Sequence, residues 1–188
     1  MASSSARRPE NVPGALFVDD TCIDCDTCRW MAPATFDQGG EMSRVHAQPR
    51  DAAELELALR ALVACPTGSI GSEDPAHTAL VRAARDAFPV TIDGPVSHCG
   101  WHSRKSFGAT SYLLARAPER GGNVLVDSPR WSAALVRRLE ELGGVSTIFL
   151  SHIDDTPPSS SSRRTSAADQ RGESTSTLPP RSGARASR

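Results

Sequence analysis

The sequence predicts an α+β fold in which a small cysteine-bearing module precedes an incomplete α/β segment and a disordered tail. Three observations carry this reading. Four of the five cysteines fall into one pattern, framed by a short strand and a capped helix. Residues 107 to 150 follow a β-β-α-β order typical of the edge of a larger α/β sheet. From Thr156 onward the chain is rich in serine and arginine, and Leu178 is its only large aliphatic side chain, too little apolar area to offset chain entropy.

At 188 residues there is room for one or two small domains. A formal charge of -1 and 38% hydrophobic residues point neither to nucleic-acid steering nor to acidic self-repulsion. Five cysteines, four of them in one pattern, argue for a metal or cluster site in a reducing compartment, the cytoplasm by default, over a secreted disulfide framework. The first residues hold no apolar run fit for a secretory signal, and no stretch approaches 18 apolar residues, so no membrane span is expected.

Residues 1–13 read as a disordered leader ending in the turn Asn11-Val12-Pro13-Gly14. Ala15 to Asp19 reads as a short strand entering a loop that carries the first cysteines. Asp51-Ala52-Ala53-Glu54 fits a capping box and opens a helix to about Val63, with Leu55, Leu59 and Leu62 facing one core. Cys65-Pro66-Thr67-Gly68 stops that helix and aims the last cysteine back at the loop. Asp74-Pro75 repeats the start signal for a linker helix lasting to Phe88-Pro89. Residues 90 to 105 read as irregular. Beyond them come strands over Ser111–Ala115, Val124–Asp127 and Val145–Leu150, with an amphipathic helix over Ser132–Leu142. The expected domains are therefore 14–73, a linker over 74–105, the partial α/β segment 106–155 and the tail 156–188.

Cys22, Cys25 and Cys28 form C-x₂-C-x₂-C, and Cys65 is followed directly by Pro66. Together they reproduce the ligand run of bacterial-type ferredoxins, in which a tight loop points successive thiolates at a cubane. With no second triplet, one [4Fe–4S] cluster on Cys22, Cys25, Cys28 and Cys65 is expected. A zinc knot on the same four thiolates is the alternative, although such sites usually pair two C-x₂-C units. Asp24 and Asp26 lie beside the ligands, where negative charge would favour the oxidised cluster or simply solvate the loop. Trp30 and Phe36 could shield it from water or serve as ordinary core.

Residues 18 to 70, from Val18-Asp19-Asp20-Thr21-Cys22 to Ala64-Cys65-Pro66-Thr67-Gly68-Ser69-Ile70, resemble a single-cluster ferredoxin domain. The resemblance implies a low-potential one-electron carrier that docks a redox partner protein. Residues 107 to 155 resemble the beginning of a metallo-β-lactamase-fold domain, on Phe107-Gly108-Ala109-Thr110-Ser111-Tyr112, Asn123-Val124-Leu125-Val126-Asp127 and Ile148-Phe149-Leu150-Ser151-His152. Hydrolases of that fold carry H-x-H-x-D-H after the third of these strands, to bind zinc and acidify its water. Here His152 matches the first histidine, Asp154 stands at the second, and the following ligands are absent. The resemblance thus implies an electron carrier first, and secondly a hydrolase or oxidoreductase with an accessory ferredoxin domain and an incomplete metal site. His98-Cys99-Gly100-Trp101-His102 is expected to be a loop packed against the neighbouring domain, with no catalytic residue assigned.

Overall fold

A computed structural model describes residues 2–152; the tail expected over 156–188, and Asp154, lie outside the described residues. The fold is α+β. β1 (Leu16–Val18) pairs antiparallel with β4 (Ile70–Ser72), and β2 (Phe36–Gly39) forms a hairpin with β3 (Met42–Val45). Between them lie the one-turn α1 (Thr27–Met31) and the longer α2 (Ala52–Ala64).

α2 starts where the sequence places it. The Asp51 carboxylate accepts from the Glu54 N–H at 2.9 Å, a cap that contributes about 1 kcal/mol. The box is not reciprocal, since Glu54 reaches past Asp51 to accept from the Arg50 N–H. The inward face is also broader than the three leucines. Leu59 is buried, Leu55 and Leu62 only partly so, and Ala58, Ala61 and Ala64 fill the centre, where their small side chains let neighbouring elements approach.

Residues 2–13 are ordered, contrary to the disordered leader expected from composition. Asn11 supplies the reason. Its amide donates to the Val18 carbonyl, and its side-chain oxygen accepts from the N–H groups of both Val18 and Val45. One side chain thereby satisfies backbone N–H groups of two strands. The Arg7 backbone forms an isolated antiparallel β-bridge with that of Asp19, whose buried carboxylate accepts from the Ser3 N–H.

α3 (His77–Ala87) begins two residues after Pro75, because Asp74 closes a tight turn onto the Ala76 N–H instead of capping the helix. It ends before Phe88-Pro89 as expected, and packs against α2 on one side and α4 on the other. Residues 90 to 98, read as irregular, form a hairpin of β5 (Val90–Asp93) and β6 (Val96–His98) across Gly94, a turn glycine at φ +48°. Its strands are only four and three residues long, too short for the Val90-Thr91-Ile92-Asp93 alternation to mark them.

This hairpin opens a five-stranded sheet continued by β7 (Tyr112–Leu114), β8 (Val124–Val126) and β9 (Thr147–Phe149). β5 to β8 are antiparallel, and α4 (Ala133–Glu141) carries the chain over to β9, which runs parallel to β8. The expected β-β-α-β order is therefore present. One hydrophobic core runs from Leu16, Phe36 and Leu59 through Phe88 and Trp101 to Leu113, Leu125 and Leu135. No described helix is long and apolar enough to cross a membrane.

Candidate cluster site

The four expected ligands converge. Cys22, Cys25, Cys28 and Cys65 line one small cavity, closed further by Val18, Ser43 and Ile70, and all four are free thiols. Cys22 and Cys25 come from the loop after β1. Cys28, expected on the same loop, sits in the first turn of α1, and Cys65 caps the C-terminus of α2. Cys28 and Cys65 are buried, whereas Cys22 and Cys25 keep an edge towards solvent.

Two aspartates shape the loop. Asp24 and Asp26 adopt left-handed backbone conformations, φ 54° and 65°, which short polar side chains tolerate better than most. Arg29 clamps both carboxylates, at 2.6 Å to Asp24 and 2.5 Å to Asp26, and donates also to Ser43 Oγ at 3.0 Å. The negative charge anticipated beside the ligands is thus half neutralised, a compensation that the sequence reading missed. Arg29 stands at the i+3 spacing from Asp26 that could have revealed it.

The sulfurs have polar neighbours. The Ser69 N–H donates to Cys65 Sγ at 3.3 Å, and Thr67 Oγ1 lies 3.5 Å from the same sulfur. Thr27 Oγ1 lies 3.4 Å from Cys25 Sγ. Burial pushes the Cys28 thiol up to about 12 and raises that of Cys25, and neighbouring cysteines repel further negative charge in both cases. Thiols in this setting ionise when cationic iron lies among them.

The donor set fits a polynuclear cluster. Among the described residues no group of three or more His, Cys, Asp or Glu side chains is placed to hold a metal ion, yet four thiols share one cavity. Soft thiolates spread around a space are suited to several irons bridged by sulfide, and less to one tetrahedral zinc.

The sheet half closes this site. His102 is fully buried and its N–H donates to the Ala64 carbonyl, next to Cys65. Its ring Nδ1 is 2.9 Å from the Gly108 carbonyl and 3.0 Å from Thr27 Oγ1. A carbonyl only accepts, which assigns the ring proton to Nδ1 and leaves Nε2 to accept from His98 Nε2–H at 2.7 Å. A continuous polar chain therefore runs from Cys25 through Thr27 and His102 to His98. Burial pulls His98 down to about 3 and His102 to about 4, so both rings are neutral. Trp30, half exposed, packs its ring 5.2 Å from that of His98, while Phe36 is buried in the core. Cys99, expected on a loop packed against the neighbouring domain, is fully buried and does not line the four-thiol cavity.

His152 follows β9 and is exposed. Just before it, Asp127 at the end of β8 accepts from the Ser151 N–H and hydroxyl, joining the ends of two parallel strands.

Residues 18–72 match the family model described as the 4Fe-4S single cluster domain of Ferredoxin I. That domain binds a 4Fe–4S cluster, which is the cofactor of this module. No curated protein and no solved structure matches the chain. The resemblance of residues 107–155 to the metallo-β-lactamase fold thus finds no support in these comparisons.

Proposed function

We propose that this protein is a ferredoxin-like electron carrier, with one [4Fe–4S] cluster held by Cys22, Cys25, Cys28 and Cys65, passing single electrons to a redox partner protein in the cytoplasm. The observation that carries this reading is the convergence of four free thiols on one cavity within the segment matched by the cluster-domain model.

When bound, the cluster supplies a one-electron couple between its 2+ and 1+ states. The chain's part is to hold and tune it. Cys28 and Cys65 anchor it from two helices, so its surroundings are rigid. The Ser69 N–H on Cys65 stabilises negative charge on sulfur, which eases reduction. Ile70 and Val18 exclude water from the inner side. The partly open Cys22 and Cys25, beside the exposed Ile23, leave an edge by which a partner can approach.

We divide the chain into the ferredoxin-like module 14–73, a linker that carries α3, and a sheet segment; the boundary expected at 106 moves back to Val90, because β5 and β6 share one sheet with β7 to β9. A second reading, a metallo-β-lactamase-fold hydrolase or oxidoreductase with an accessory ferredoxin domain, is favoured by the β8–α4–β9 crossover that ends at His152. Asp154 lies outside the described residues, and the ligands that follow it in that fold are absent from the sequence.

Oxygen-free purification, followed by iron, sulfide and zinc determination and electron paramagnetic resonance after dithionite, tests both. About four irons per chain and a reducible signal support the carrier, and zinc alone removes it. Metal beyond those irons, lost on His152→Ala, supports the second reading.

A further inference from the structure

On the far side of the Cys65 loop lies a second, larger cavity of about 670 Å³, between α2, β4, α3 and Trp101. That volume is typical of pockets for small organic molecules. Its walls are mostly apolar, including Leu62, Ile70 and Val81, while Arg85 and Arg130 line one side. The two guanidiniums flank the buried Trp101 ring, their carbons 5.1 Å and 5.6 Å from its centroid.

Neither arginine has an ion-pair partner among the described residues. Arg130 spends a side-chain donor on the Val63 carbonyl at 3.4 Å. The carboxylates nearby are engaged elsewhere: Glu73 pairs with Arg7, and Asp74 accepts from the Ala76 N–H and lies 3.6 Å from the His77 ring. All four arginines of the module 14–73, Arg29, Arg44, Arg50 and Arg60, carry a carboxylate, whereas Arg82, which also lines this cavity, has no ion pair among the described residues. Burial, opposed by negative charge at Cys65 and aided by repulsion from Arg85, pulls the Arg130 guanidinium below its usual value. Arg85 is exposed and Arg130 half-buried over one ring, so an anion entering the cavity pairs with both guanidiniums.

We propose that this cavity binds a small organic anion, a flat apolar body bearing one carboxylate, with the carboxylate on Arg85 and Arg130 and the body against Trp101 and Val81. Guanidinium forks match a carboxylate's two oxygens, and the apolar wall takes the remainder. Thr67 and Ile70 line both this cavity and the cysteine cavity, so the bound anion lies one layer of side chains from Cys65.

Calorimetric titration of the protein, purified without oxygen, with 2-naphthoate and with its neutral isostere 2-naphthamide tests it. One 2-naphthoate binds per chain, more tightly than 2-naphthamide. Arg85→Gln and Arg130→Gln each weaken 2-naphthoate about tenfold, as loss of a charge-assisted hydrogen bond implies, and leave 2-naphthamide within about twofold. Arg85 is exposed, so its variant folds and reads the charge effect even if Arg130→Gln does not. Val81→Trp fills the space and abolishes binding of both compounds. The proposal falls if 2-naphthoate gives no saturable heat, if both compounds weaken equally in the arginine variants, or if Val81→Trp retains 2-naphthoate.

Discussion

Gly108 presses against Cys25: a β-carbon added at Gly108 would stand 2.7 Å from Cys25 Cβ and 3.2 Å from its sulfur. Two residues more than eighty positions apart thus meet beside the cysteine cavity. Gly108 also has φ +86°, where a side chain is strained whatever the space. Gly108→Val should cost about 1 to 3 kcal/mol from backbone strain alone and push the Cys25 loop outward. Iron and sulfide per chain should fall, together with the melting temperature; unchanged cluster content would mean that the sheet half does not support the loop.

The ligand assignment separates the fifth cysteine from the other four. Cys65→Ser should abolish the cluster or convert it to a form with fewer irons, while Cys99→Ser, buried beside the β6–β7 pairing, should leave its spectrum intact. Absorption and paramagnetic resonance of the two variants decide this, and the opposite pattern would overturn the assignment.

Arg29 offsets two carboxylates beside the site. Arg29→Gln removes one positive charge and releases two negative ones, which makes adding an electron harder. The reduction potential should drop by something on the order of tens of millivolts, as a unit charge about 10 Å away in a screened setting implies. Protein-film voltammetry measures this directly; a rise in potential would show that the clamp acts through loop geometry and not through charge.

The buried imidazoles predict an acid-sensitive fold. Burial holds His98 near 3 and His102 near 4, below the ordinary 6.5, so the unfolded chain binds more protons than the folded one in that range. Stability is therefore complete above about pH 6.5 and is lost as pH falls towards 4. Melting temperatures by circular dichroism between pH 7.5 and 4.5 should show this decline, with a shallower slope in His98→Phe. Equal slopes would assign the decline to carboxylates instead.

Sheet register and the ligand set differed in how far they could be read from local text. The strand at Leu16–Val18, the Asp51 cap, the stop at Cys65-Pro66 and the β-β-α-β order all rest on residues within a few positions of one another. The β5–β6 hairpin escaped because its strands are only four and three residues long, and the leader was misjudged because a single asparagine, Asn11, outweighs its polar composition.

By itself the sequence determined the chemistry of the cysteine loop, since thiolate type and spacing specify a cluster ligand set through short-range geometry. Only the tertiary structure decided what surrounds it: the Arg29 clamp over αL aspartates, the Thr27–His102–His98 chain, the Gly108 contact and the Arg85–Trp101–Arg130 cavity. Apart from the clamp, these join residues tens of positions apart that follow no helical or strand period. Their juxtaposition is set by how α3 and the five-stranded sheet pack into one core with the cluster module, which no local pattern encodes.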